Sequence, residues 1–513
     1  MNINELFMAF DIGSSSCKVA VFTPTGECLG DAKDSLNINS REESTGMREY
    51  DPDSWIKAAK RSVRKLVRKV GDLRGRILAI GLSGQIGTHV VISSRDGKPV
   101  CPAISWQDGR ARQEAIDLSR KYKGFELDNL IGMHLPPGTA WPIPRLLWVK
   151  ANMPSLLEDS NIWIQPKDYL LKYLTGELAT DYLSLRGLMH PKRHAIDSEI
   201  KDKILGISDI ELHLPPAKEA WEIGGKLRAG VARNLGLDPG LPVVIGAGDF
   251  HCAVLGCGEF QDSTGFNVSG TSDHIGIYVD AASVSVKSEV LGRYPSLISG
   301  KDILYGATSS SGGMLEWFVK IFGSRRKKET LDEYFDRELG VEAISKGLIC
   351  LPYLNGERAP LWNADARAIF AGIGSGHTRA NILAAVLEGV AFSLRNNKEI
   401  IESLGIKINK LRVTGAAARN KYWNKIKANI LKTDIALLEN HEASCLGASM
   451  LAAIGIGFYT DPANAASAMS RETAVIEPDV SKYAYYDELF GCFKQEYEAN
   501  KGIYKSLSRI REL

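Results

Sequence analysis

The sequence predicts an α/β protein of two similar domains, on three observations. Short β-like runs alternate with amphipathic helical stretches throughout, and no low-complexity segment or long polar linker interrupts them. A strand–turn–strand unit near the start, "MAFDIGSSSCKVAVF" (8–22), recurs half a chain later as "GFNVSGTSDHIGIYV" (265–279). Such a pair suggests internal duplication, with two α/β domains facing one another across a cleft. Glycine–serine turns between strands are common, so chance likeness over fifteen residues stays open as an alternative.

In chain order, the first strand pair spans 7–22, a helix-like stretch runs from Trp55 to Val70, and "ILAIGLSG" (77–84) reads as a buried strand ending in a turn. "CGEFQDSTG" (257–265) is a polar, glycine-containing break after a strongly apolar segment, which sets the expected domains at 1–258 and 259–513. In the second half, "NILAAVLEGVAFSL" (381–394) places Ile382, Leu383, Val386, Leu387, Val390, Ala391 and Leu394 on one helical face. "CLGASMLAAIG" (445–455) suits a closely packed helix, and Tyr486, Leu489, Phe493 and Tyr497 recur at helical spacing near the end.

Composition narrows the function. The 513 residues are 44% hydrophobic and 24% charged, enough for substantial cores, and 63 basic against 61 acidic residues give a net charge of +2. That balance lacks the basic excess that captures nucleic acid or anionic membrane, so small molecules are the expected partners. No leader-like segment and no apolar run of roughly 20 residues occurs, which makes the cytoplasm the expected location. Eight cysteines without CxxC pairs or nearby histidine ligands support neither a disulfide framework nor a zinc site.

Two acids stand out. The turn after Asp11 offers serine hydroxyls and backbone N–H groups converging between strands, an anion cradle, yet an acid at its mouth repels bare phosphate. The conflict resolves if Mg²⁺ bridges carboxylate and phosphate, giving Asp11 to the metal, Gly13 to Ser16 to phosphate and Lys18 to auxiliary charge. Asp11 capping its own turn is the open alternative. Asp249, in "VVIGAGDFHCAVLGCG" (243–258), is delivered by a buried strand to the start of a helix-like segment, where a carboxylate can act as general base. An N-cap is its alternative.

"AIFAGIGSGHTRANILAAVLEG" (368–389), with "PYLNGERAPLWNADARAIFAG" (352–372), "SWQDGRA" (105–111) and "KDYLLKYLTGELATDY" (167–182), resembles the FGGY family of carbohydrate kinases, in family order and over nearly the whole chain. The second stretch is similar to the xylulokinase branch. The resemblance implies two actin-like ATPase (ribonuclease H-like) domains facing across a cleft, and a phosphotransferase with an alcohol group as acceptor that uses ATP and Mg²⁺. It implies Asp249 as catalytic base and a second metal contact; Asp11 at Mg²⁺; and Gly13, Ser14 and Ser15 as the first phosphate motif, with Gly270 and Thr271 as the second. Gly312, Glu316, Gly415, Ala416, Ala417 and Asn420 fall where the family holds ribose and adenine, and Gln85, Trp106, Asp108, Arg110, Trp141 and Phe250 fall on the sugar side.

Departures bear on the acceptor. Ala416 stands where relatives often have glycine, and Arg145 where lysine is usual. Ile86 and Gly87 replace the Met-His or Arg-Glu that orients the acceptor, unless His89 or Thr88 substitutes, and Phe250 and His251 follow the catalytic Asp where Asn or Gln is frequent. The expected acceptor is a ketopentose such as xylulose; a polyol, aldonate or other ketose is the alternative, and a sugar-binding degenerate kinase a further one. Domain closure is expected to exclude water. A homodimer is common in the family.

Overall fold

The computed structural model describes residues 5–36, 46–123, 125–134, 138–258, 260, 262–283, 288–323, 326, 329–339 and 344–511. The chain folds into two compact units. Unit 1 is Met1–Glu259 with Tyr294–Lys301 and Glu442–Arg471; unit 2 is Phe260–Arg293, Asp302–His441 and Glu472–Leu513.

In unit 1, β1 (Leu6–Ile12), β2 (Ser16–Phe22) and β3 (Cys28–Ser35) form an antiparallel meander in which Asp11 lies opposite Lys18. Every residue of β1 is buried, as its nearly unbroken apolar run requires of a strand covered on both faces. Helix α1 (Pro52–Val70) starts three residues before the sequence pattern suggests. Asp51 caps it by accepting the Asp53 N–H at 3.0 Å, and Pro52 opens its first turn. Its Trp55, Ile56, Ala59, Val63 and Leu66 join the core of β1–β3. Strand β4 (Ile77–Gly84) then pairs parallel to β1, setting Ser83 beside Asp11.

After α2 (Pro166–Thr175), β5 (Ile223–Lys226) and β6 (Pro242–Val244) complete the sheet order β5–β6–β4–β1–β2–β3. The two residues of β7 (Ala247–Gly248) pair parallel to the end of β4 and lead directly into α3 (Asp249–Cys257).

Unit 2 repeats the plan. Antiparallel β8 (Thr264–Ser269) and β9 (Asp273–Asp280) place Ser269 opposite Asp273. Next come β10 (Gly292–Pro295), whose last two residues belong to the Tyr294–Lys301 segment of unit 1, β11 (Lys301–Thr308), α4 (Gly312–Phe322) and α5 (Arg379–Ser403), the last opened by a Thr378–Asn381 capping box. Strand β12 (Lys410–Thr414) is parallel to β8 as β4 is to β1, and α6 (Lys421–Leu431) leads to β13 (Asp434–Leu438), parallel to β12.

The chain then returns to unit 1 as α7 (Ala443–Gly455). Its approach depends on glycine: a Cβ on Gly81 would lie 1.9 Å from the Ala448 carbonyl oxygen, and one on Gly447 2.0 Å from that of Cys252. Strand β14 (Glu472–Ile476) closes the second sheet, ordered β10–β11–β9–β8–β12–β13–β14. Finally, α8 (Tyr483–Arg511) buries Tyr486, Leu489, Phe493 and Tyr497, the stripe anticipated from their spacing.

Candidate active site

The turn between β1 and β2 is closed by its own backbone, with Gly13 N–H donating to the Ser16 carbonyl at 3.0 Å, so Asp11 is not needed to hold it. Asp11 is 8% exposed and accepts one hydrogen bond, from Ser83 Oγ at 3.0 Å. Burial raises its pKa against the opposing pull of Lys18 and that bond. The Lys18 ammonium itself donates to Glu442 Oε2 at 2.6 Å, and the Glu442 and Asp11 charges hold its pKa above the usual value despite burial. Ser14 is half-buried and Ser15 exposed, both accessible to a ligand. Gln85 donates its side-chain N–H to the Gly13 carbonyl at 3.4 Å, while its buried Oε1 has no partner.

Asp249 is the first residue of α3, and the N-cap is Gly248, with no side-chain capping bond, which removes the capping alternative. Its Oδ1 accepts the neighbouring Phe250 N–H at 2.8 Å. Burial first, and the Asp11 charge second, push its pKa up to about 7. A carboxylate poised near neutrality is matched to accepting a hydroxyl proton. A pair of carboxylates, Asp11 and Asp249, also fits Mg²⁺, which takes one or two protein carboxylates and completes its shell with water and substrate phosphate. No group of three or more candidate ligands occurs among the described residues, so a more enclosed metal site is not built here.

Unit 1 also carries the residues expected on the sugar side. A Cβ on Gly248 would lie 1.7 Å from Ile86 Cδ1, so Ile86 packs onto the residue preceding Asp249 and presents no polar group there. Thr88 and His89 do not replace it. Thr88 is fully buried and accepts the Trp106 N–H at 3.1 Å; His89 is buried against the Trp163 ring. Gly187 abuts the Trp141 ring, at 3.0 Å from a would-be Cβ, and Gly87 abuts Trp106.

Asp108 and Arg110 bind each other, at 2.8 Å from Oδ1 to Nε, with Arg110 also reaching Glu49 at 2.7 Å. Asp108 is fully buried, and the pair braces the loop that presents Trp106. Arg145 explains its departure from lysine. Its guanidinium donates to the carbonyls of Ile104 (3.2 Å), Ser105 (3.1 Å) and Thr139 (2.9 Å), a span a single ammonium does not cover, while burial lowers its pKa to about 10.

Sequence reasoning missed several side chains of unit 1. Tyr294, 37 residues beyond the end of α3, faces the rings of Phe250 and His251 at 5.9 and 5.8 Å. Arg186 lies over the Tyr294 ring at 5.2 Å and donates to its hydroxyl at 3.3 Å. It also lowers the pKa of both Asp249 and His251, and forms no ion pair among the described residues. Neither ring nitrogen of His251 has a hydrogen-bond partner of good geometry, and burial lowers its pKa to about 4. Lys167 sits fully buried between Asp168 (2.7 Å) and Asp181 (2.9 Å), packed beside Gly84. An open cavity of about 930 Å³ elsewhere in unit 1, lined by Tyr50, Asp51, Asp53, Lys98 and Tyr169 among others, contains none of the expected site residues.

The expected nucleotide-side residues lie together in unit 2. The exposed β8–β9 turn, Gly270–Thr271, accepts backbone bonds from Gly312 (3.0 Å to Gly270) and from Ser311 and Gly313 (3.1 Å each to Thr271). Gly415, at φ +90°, approaches Ser269 so closely that a Cβ would lie 2.1 Å from its carbonyl oxygen. Glu316 is exposed on the first turns of α4. Asn420 is buried and caps α6 by accepting the Trp423 N–H at 2.8 Å. Ala416 and Ala417 form the backbone of a 3₁₀ turn, and their side chains lie outside the described residues.

The sequence matches the models of the FGGY family of carbohydrate kinases, the N-terminal domain over residues 6–256 and the C-terminal domain over 265–456. It is 29% identical to a xylulose kinase of Bacillus subtilis, covering 98% of this chain and 99% of that one. A gluconokinase of the same organism is 27% identical, over 89% and 88%. The fold is similar to that of a solved gluconate kinase from Lactobacillus acidophilus, with a TM-score of 0.84, 24% identity, and coverage of 98% and 99%. No helix among the described residues is long and apolar enough to cross a membrane.

Proposed function

The chain belongs to the FGGY family of carbohydrate kinases, and on that premise we propose that it transfers the γ-phosphate of ATP to a hydroxyl of a ketopentose such as xylulose, with Asp249 as the base. The observation that carries this reading is a carboxylate held near pKa 7 at the start of α3, in the same unit as the under-coordinated Asp11. Asp249 takes the proton of the acceptor hydroxyl as its oxygen attacks the γ-phosphorus; the bond to the bridging oxygen breaks and ADP leaves. Asp11 and Asp249 are the residues that would hold Mg²⁺, which when bound neutralises phosphate charge. Ser14, Ser15 and Thr271 offer donors to the phosphates, on turns that Gly13 and Gly270 close; Trp106 and Trp141 wall the acceptor, and Gln85 Oε1 offers it an acceptor atom. Xylulose is favoured because similarity to a xylulose kinase spans both chains almost entirely. Eight free cysteines suit a reducing, cytoplasmic setting.

One observation favours a second acceptor. Arg186, an arginine beside the base with no carboxylate partner, suits an acid sugar whose own carboxylate would pair with it, and a gluconokinase is among the relatives. The experiment is ADP release in Mg²⁺ and ATP against ketopentoses, polyols and aldonates, with no-sugar and Asp249→Ala controls. Turnover of xylulose that vanishes in the variant supports the first reading. Turnover of an aldonate, with loss of selectivity over the matching polyol in Arg186→Leu, supports the second. ADP release independent of any acceptor, or unchanged in Asp249→Ala, overturns both.

A further inference from the structure

Behind the Gly270–Thr271 turn lies a cluster of five side chains, Asn267, Ser269, Asp273, Ser311 and Lys427, of which none is exposed to solvent. Lys427, carried by α6, spends its three ammonium hydrogens on Asn267 Oδ1 at 2.7 Å, Ser269 Oγ at 3.0 Å and Asp273 Oδ2 at 3.4 Å. Asp273 Oδ2 also accepts from Ser269 Oγ at 2.8 Å and Ser311 Oγ at 3.0 Å, and Oδ1 accepts from the Asn267 amide. No hydrogen-bonding capacity of the ammonium is left for a ligand.

The position of Asp273 is what makes the cluster more than a buried ion pair. It is the first residue of β9, directly after the turn, and through Ser311 it grips the residue preceding α4. Backbone bonds from Ser311, Gly312 and Gly313 to Gly270 and Thr271 join the same two loops from the other side. One carboxylate therefore fixes the relative geometry of the turn and the start of α4. Its charge conflicts with that location: a phosphate at the turn meets, within two or three residues, a buried anion poorly screened by water.

We propose that Lys427 is a positioning residue for the nucleotide phosphates, cancelling the charge of Asp273 while Asp273 locks the Gly270–Thr271 turn to the start of α4. The proposal rests on the reading that this turn receives phosphate. Burial lowers the pKa of Lys427, and Asp273 opposes that shift. The ring of Trp423, 4.6 Å away, faces the ammonium, and Asn420 caps the helix that carries both.

The two halves of the pair should act on nucleotide binding with opposite sign, which a purely structural role does not produce. Calorimetric titration with Mg-ATP, alongside sugar KM and thermal unfolding, reads this directly. Lys427→Met leaves the anion uncompensated and should raise the Kd for Mg-ATP about tenfold or more with little change in sugar KM. Asp273→Asn keeps an oxygen that accepts from Ser269 and Ser311 but removes the negative charge and leaves the cation, so Kd should stay level or fall. The neutral pair Asp273→Asn/Lys427→Met should return within about threefold of wild type. This double variant and Asp273→Asn also carry the test if Lys427→Met alone does not fold. Equal weakening by both single variants, a folded double variant that fails to bind, or an unchanged Kd in Lys427→Met overturns the proposal while leaving the kinase reading intact. Wild-type protein that binds no Mg-ATP overturns the kinase reading and the proposal together.

Discussion

Each strand–turn–strand unit sets an acid beside a similar turn, with a lysine nearby that is Lys18 of the unit itself in one case and Lys427 of α6 in the other, and the two acids are used oppositely. In unit 1, Asp11 is on the outgoing strand, and the lysine facing it across the ladder gives its ammonium to Glu442, which leaves Asp11 with one hydroxyl donor. In unit 2, Asp273 is on the return strand and is saturated by Lys427, Ser269, Ser311 and Asn267. An acid with unused acceptor capacity is available to a cation, and a saturated one is a brace. Likeness of fold between the two turns thus says little about their chemistry; the partner of the lysine decides it.

The largest test of that contrast is on the unsaturated side. Asp249→Asn should cut kcat about 1,000-fold while leaving a folded protein, measured by ADP release and circular dichroism. Asp11→Asn should cost about 100-fold, with a higher Mg²⁺ concentration needed for half-maximal rate; an unchanged Mg²⁺ response would place the metal elsewhere. On the saturated side, Asp273→Ala should cost about 3 kcal/mol of stability in urea unfolding, because it leaves the Lys427 charge buried without its counterion.

Acidity gives a gentler separation. With Asp249 raised to about 7, kcat/KM should fall about tenfold per pH unit below 7 and level off above it. The folded state then binds more protons at this site than the unfolded state between about pH 4 and 7. The Asp249 contribution therefore destabilises as pH rises through that window, and Asp249→Asn should raise Tm at pH 8 as it abolishes turnover. A lowered Tm would mean that Asp249 is a structural group like Asp273. The smallest effect is expected for Lys18→Met, less than about tenfold in kcat, because its ammonium is already engaged by Glu442.

Much of this was legible in sequence. The alternation of runs gave an α/β chain; the apolar strand before the GSSS turn and the glycine turn before Asp249 located two acids, one near the end of β1 and one just after β7, two strands that both pair with β4. The helix-like stretch from Trp55 to Val70 is legible, and the start of α1 lies before it, in a cap and a proline. What escaped notice depends on distance along the chain. Glu442 binds Lys18 from 424 positions away, and Lys427 reaches Asn267 from 160. Arg186 and Tyr294 meet only after folding brings separate segments of unit 1 together. Local pattern names the residues that carry charge; it does not name the partner that consumes it.

The return of α7 to unit 1 has a consequence in time. The sheet face at Gly81 and the α3 backbone at Cys252 are shaped for a helix that begins at Ala443, so unit 1 is incomplete when residue 259 emerges from the ribosome. At bacterial-to-eukaryotic elongation rates of about 5–20 residues per second, the missing helix follows roughly ten to forty seconds later. Through that interval, unit 2 is synthesised while an apolar, glycine-floored groove of unit 1 stays uncovered, the kind of surface that chaperones hold and neighbouring nascent chains invade. The helix that finishes unit 1 is thus also the event that ends its exposure during synthesis.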